Sequence, residues 1–171
     1  MIEQTLYFKC RPSQLLNLEN FLLTLLFIPI VILMDMMLKE HHLAFFLPEK
    51  LAVHVNRLPV YLSILVMLNL IWQILKVYCI SYEIDHEELR YYSGILSRKH
   101  EYIELYRIKD FRVEKPMIYR MFGLGDLTIY TSDKTTPVLQ LNAISEPEEK
   151  YTILRGLVEL NRREKHVFEV D

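Results

Sequence analysis

Glycine is nearly missing from this chain, with four in 171 residues. A phosphate-cradling loop needs several glycines close together, because only they let the backbone wrap closely round an anion. No nucleotide-binding loop is therefore expected. Gly123-Leu124-Gly125 is the nearest fragment of a dinucleotide motif. A strand pattern rather than a helix follows it, so it reads as a tight bend before a strand at Leu127. Cysteine is equally thin: Cys10 and Cys79 stand far apart, each at the edge of an apolar stretch. Metal centres want Cys or His at short spacing, so these two read as reduced thiols. His41 and His42 are adjacent and His54 lies in the same segment. No third ligand has fitting spacing, and they read as solvated loop histidines.

Motifs of catalysis are also missing. There is no Gly-X-Ser-X-Gly and no His-Glu-X-X-His. Asp85, Glu87 and Glu88 sit side by side in a turn and read as solvated rather than as an acid–base pair. Charge of one sign is lacking too. Twenty basic against 22 acidic side chains leave a formal net charge of -2, which gives no global pull toward nucleic acid. The expectation is a protein that is not an enzyme, with no cofactor, no metal and no nucleic-acid partner.

What is present in quantity is apolar sequence, concentrated before residue 81. The first run covers about 15–38, with Pro29 in its middle and Glu19 and Asp35 near its ends. The second covers about 58–80, with Pro59 in its first turn, Tyr61 at one end, and Trp72 and Tyr78 toward the other. A bilayer core needs ~20 helical residues, so each run is long enough to span it. A domain this small cannot bury two helices that are apolar nearly all round. The segment before the first run lacks the pattern of a cleaved signal peptide, so both helices are expected to be retained. Asn69 and Gln73 are four apart on one face of the second run and form a candidate helix–helix interface. The linker between the runs is expected to lie along the membrane surface as a short amphipathic element. Lys9, Arg11, Lys76, Arg90, Arg98 and Lys99 flank the outer ends, against Lys39, Lys50 and Arg57 in the linker. That asymmetry predicts both termini in the cytoplasm.

After Ile80 the pattern turns to short runs rich in Tyr, Ile, Val and Phe. Strands are predicted near 79–85, 89–93, 98–104, 108–115, 126–131 and 138–141, with turns at 85–88, 93–94 and 132–134. In the fourth, Phe111 and Val113 alternate with Asp110, Arg112 and Glu114, as in a strand with one face buried. A helix over 146–164 follows, with Ser145 as its cap, Pro147 in its first turn, and Ile153, Leu154, Leu157, Val158 and Leu160 on one face.

Four blocks in this half carry a resemblance. They are Tyr82-Glu83-Ile84-Asp85, the run from Leu89 to Lys99, the run from Ile103 to Glu114, and the run from Arg120 to Thr131. Ile144-Ser145-Glu146-Pro147 then leads into the helix. In order and spacing the set is similar to the bacterial pleckstrin-homology-like (PH-like) domains of membrane-flanked proteins. The resemblance implies about seven strands folded into a PH-like barrel with a helix on its open end. It implies little chemistry, because one scaffold serves many functions.

The expected fold is thus an α+β membrane protein. A two-helix transmembrane hairpin within 1–80 precedes an antiparallel PH-like β-barrel, capped by a C-terminal helix, within 81–171. The expected location is a bacterial inner membrane. Two functions compete. In the first, the chain is an interaction or scaffold protein that assembles with other membrane proteins or with itself. In the second, it binds anionic membrane lipids through a basic strip: Arg98, Lys99, Arg107, Lys109, Arg112, Lys115 and Arg120. Met117, Ile118, Met121 and Phe122 form a candidate hydrophobic docking turn, expected first to pack on the barrel.

Overall fold

A computed structural model describes residues 7–40 and 48–166. Two compact units divide the chain. One joins residues up to Leu16 with those from Lys76 onward; the other is Asn17–Leu75.

The second unit is helical. A short 3-10 turn, Gln14–Asn17, leads toward α1 (Leu18–Glu40), which runs continuously through Pro29. Helix α2 (Glu49–Asn56) lies in the linker, and α3 (Leu58–Tyr78) follows. His54 is exposed on α2, whereas His41 and His42 lie outside the described residues. Helices α1 and α3 are long and apolar enough to cross a membrane, and most of their Leu, Ile and Met side chains are more than half exposed. Their few hydroxyls are turned inward on the backbone. Thr24 donates to the Asn20 carbonyl and Ser63 to the Pro59 carbonyl, each at 2.8 Å. Such i to i−4 bonds hide a hydroxyl from apolar surroundings. The helices are antiparallel neighbours, and the Asn17 amide donates to the Gln73 carbonyl at 3.0 Å.

The other unit is built on two antiparallel sheets. The first has the order β1 (Phe8–Cys10), β2 (Ser81–Ile84), β3 (Glu88–Ser93) and β4 (Lys99–Glu104); the second has β5 (Ile108–Glu114), β6 (Leu124–Thr131) and β7 (Val138–Ser145). Helix α4 (Met117–Met121) interrupts the second sheet between β5 and β6, and α5 (Pro147–Glu164) closes the unit. The buried residues alternate along the strands. Tyr82 and Ile84 of β2, Ile103 of β4, and Leu139 and Leu141 of β7 point inward, as the period of two requires. They join Leu127, Ile129 and the Leu154, Leu157 and Val158 face of α5 in one core.

The seven strands match the implied number, but the expected barrel is not closed. Between β4 and β5 the chain makes a 3-10 turn, Leu105–Arg107, and no ladder joins those strands. The turn is held instead by bonds to other loops: the Leu105 amide to the Glu87 carbonyl, and the Ser132 amide to the Arg107 carbonyl. The capping expectation also fails. Strand β7 runs through Ser145, so Glu146 takes the capping position with a left-handed backbone and no side-chain cap. The Ser145 hydroxyl accepts from Lys150 Nζ instead.

Strand β1 was not visible in the sequence. It lies ahead of both apolar helices, yet Phe8 pairs with Ile84, Lys9 with Glu83 and Cys10 with Tyr82. The helical unit is therefore an insertion between two adjacent strands of one sheet. Cys10 is buried in the core, and burial pushes its thiol up to about 11, against a smaller opposing pull from Lys150. At pH 8 only ~0.1% would be thiolate, the form that reacts. Cys10 is accordingly expected to resist a maleimide at pH 8 in folded protein and to react once the protein is unfolded in denaturant. Intact-mass counting of adducts checks this, and rapid labelling of Cys10 in the native state would refute its burial.

Candidate functional surfaces

The residues singled out from the sequence do not converge on one place. Of the basic strip, four side chains have acidic partners. Lys99 pairs with Glu101 on the same strand. Arg107 meets Glu104 at 2.7 Å and lies 3.8 Å from Asp133. Arg112 is 3.6 Å from Glu114 and Lys115 is 2.8 Å from Glu148. Lys109 instead lines a cleft beside Arg155 and Arg162 of α5, and Arg120 ends up on α4. Basic residues grouped within 98–120 of the sequence thus become dispersed charge, much of it neutralised.

The Met117–Phe122 turn does the opposite of what was first expected. It does not pack inward: Met117 is 75%, Met121 76% and Phe122 62% exposed. Pro116 starts the helix, and Gly123, with φ +68, ends it and lets the chain turn into β6. Three large apolar side chains on so short an element make an exposed patch of the kind that marks contact surfaces.

On the helical unit, Asn69 lies near the middle of α3 and is exposed, while Gln73 is half buried. Asn69 lines a groove of about 320 Å³ with Asn20, Leu23, Thr24, Phe27 and Leu65. Among the described residues, no partner hydrogen-bonds the Asn69 side-chain amide.

A concavity of about 500 Å³ on the β-sheet unit was missed by the sequence reading. Arg11, just after β1, Tyr78, at the end of α3, and Ser81, at the start of β2, form one wall; Ser93, Arg98 and His100 of β3, β4 and their connecting turn form another. Gly94 shapes that turn with φ +99. Rings brace two of these side chains: the Arg11 guanidinium is 5.1 Å from the Tyr78 ring centre, and His100 meets the Tyr92 ring edge-on at 4.9 Å. The only hint in sequence was Arg11 and Arg98 among the basic flanks, with nothing to show that β1 would bring them together. Among the described residues no three His, Cys, Asp or Glu side chains gather as a metal centre would need.

Comparison with known proteins gives one match. The family model of the bacterial PH domain fits residues 15–158, which takes in both apolar helices as well as β2 to β7. No curated protein and no solved structure matches the chain. The family match covers well over half of the sequence, in agreement with two small antiparallel sheets and a closing helix, and on it the chain belongs to the bacterial PH domain family.

Proposed function

We propose that this chain is a membrane-anchored interaction protein, which holds its PH-like unit at the cytoplasmic face of a bacterial inner membrane and assembles with partner membrane proteins or with copies of itself. The observation that carries this reading is the Asn69 amide, exposed near the middle of a membrane-length helix with no hydrogen-bond partner among the described residues. Water would satisfy it, but hydrocarbon cannot, and an unmet amide there costs several kcal/mol. A partner helix that fills the Asn20–Asn69 groove removes that cost. The exposed Met117–Phe122 turn offers a second contact on the soluble side.

The anchoring itself has a topological support. Because β1 precedes α1 and pairs with β2, which follows α3, the chain leaves the sheet and returns to it at one place. A two-helix membrane crossing satisfies that constraint, whereas a single crossing does not. The rival reading, lipid recognition by the strip from Arg98 to Arg120, has less behind it, since four of those seven charges are already paired.

The test is gentle detergent extraction of tagged full-length protein, with mass spectrometry of what accompanies it. Stoichiometric membrane proteins or a discrete oligomer are expected. Asn69→Leu should weaken that association about threefold or more, from the measured worth of polar contacts between membrane helices. A monomer accompanied only by lipid, for wild type and variant alike, would refute assembly.

A further inference from the structure

The concavity beside β1 holds two guanidiniums that no described residue neutralises. Arg90, Arg107, Arg112 and Arg155 each have a carboxylate within reach. Arg11 and Arg98 have none among the described residues. The one acid on the wall, Glu83, is already engaged by Lys9 at 2.5 Å. The two arginines against Glu83 leave the lining one net positive charge, and Lys9, paired with Glu83 from outside it, adds a second; His100 lies beside them, and Ser81 and Ser93 add hydroxyls. The fold places the backbone of both arginines and braces one side chain. Arg11 is braced on Tyr78, and Arg98 closes a five-residue turn whose first residue, Gly94, has no room for a side chain. A volume of about 500 Å³ falls within the range of small-ligand sites.

From this we infer that the concavity is an anion site, built to hold a phosphate group between Arg11 and Arg98. Planar guanidinium forks are the side chains best matched to phosphate oxygens. Serine hydroxyls suit the oxygens that the guanidiniums leave free. The site does not depend on the assembly reading, and it involves only one member of the basic strip. Phosphate can reach it in two forms, as a phospholipid headgroup or as a soluble phosphate ester. The lipid source rests on the membrane reading. Under that reading Arg11 is three residues from the start of the first apolar span, and Tyr78 is the last residue of the second. By chain length alone, both walls then lie within ~10 Å of a helix end, where a bilayer keeps its phosphates.

Native mass spectrometry of the full-length protein in mild detergent tests the site. The probes are phosphatidylglycerol, phosphatidylcholine as a zwitterionic reference, and glycerol 3-phosphate as the soluble ester. Wild type is expected to retain phosphatidylglycerol over phosphatidylcholine. Arg11→Gln and Arg98→Gln should each weaken binding about tenfold, the worth of one charge-assisted hydrogen bond. Lys109→Gln, on a different cleft, should leave it unchanged. Preference for glycerol 3-phosphate over phosphatidylglycerol, with the same sensitivity to both arginines, supports the site and assigns it a soluble ligand. Ser81→Glu, which sets a carboxylate in the concavity without touching either arginine, should abolish binding and guards against misfolded arginine variants. Binding equal to wild type in both arginine variants and in Ser81→Glu overturns the site. So does wild type that binds neither phosphatidylglycerol above phosphatidylcholine nor glycerol 3-phosphate. None of these outcomes alters which proteins co-purify, so the anion site and the assembly reading fail separately.

Discussion

Leu127→Ala is expected to cost the β-sheet unit about 3 kcal/mol, within the 2–5 kcal/mol seen for such truncations. Leu127 sits on β6, the middle strand of its sheet, paired to Val113 on one side and Leu141 on the other. Its side chain is fully buried in the core that both sheets and α5 share. Truncation removes apolar contact and leaves a hole that three rigid layers cannot collapse to fill. Domains of this size hold only ~5–15 kcal/mol in all, so the loss is a large part of the total. In a urea titration of the detergent-solubilised protein, followed by the near-ultraviolet circular dichroism of its tyrosines, the midpoint should fall by roughly 1–3 M. Leu96→Ala is the matched control. Leu96 is 87% exposed, and its removal should leave the midpoint within error. Equal midpoints for the Leu127 variant and wild type would mean that the two sheets do not share one core.

Gly94→Ala should be nearly as damaging, by a different route. A methyl group there would lie 1.9 Å from the Ser97 carbonyl oxygen, and φ at this position is +99. No rotamer adjustment relieves a clash with backbone. The turn from Ser93 to Lys99 must open, and the strained backbone plus the crowding sum to roughly 2–5 kcal/mol. The loss should be local first: in hydrogen exchange, amides of β3 and β4 ought to lose protection before those of β6 and β7. Wild-type protection along β3 and β4 in the variant would show that the turn does not need glycine. Because the same turn positions Arg98, the variant links the stability of the sheet to the integrity of the anion site.

Six of the seven strands and the closing helix were legible in the sequence, because each carries its own alternation or periodicity. The misses have specific causes. Strand β1 is three residues long, too short for any pattern to register, and its partner lies 72 residues further on. The sequence pattern of β7 predicts an end at Leu141, but the strand continues to Ser145. Ala143 breaks the alternation with a left-handed backbone, and its amide donates to Asp126 at 2.7 Å rather than to a regular ladder. Whether two sheets close into a barrel is decided by hydrogen bonds between β4 and β5, which no local pattern encodes. The candidate surfaces were legible only in part. The apolar turn and the Asn69 face are local, so both can be named from the sequence, and the turn is exposed. The basic strip reads as one surface because its residues fall within one short stretch of sequence, whereas alternation and ion pairing disperse it. Arg11 acquired its meaning only through β1.

The insertion of the helices between β1 and β2 also has a consequence in time. The ribosome completes Cys10 some 72 residues before its partner Tyr82, an interval of roughly 4–14 s at ordinary rates of synthesis. Throughout it, the first strand has no neighbour to pair with. The first sheet can gain its outer strand only after both apolar helices have been made. If the two helices cross a bilayer as proposed, a chain that left one of them outside it would hold β1 and β2 apart and keep Cys10 open to solvent, so completion of the sheet would report correct insertion.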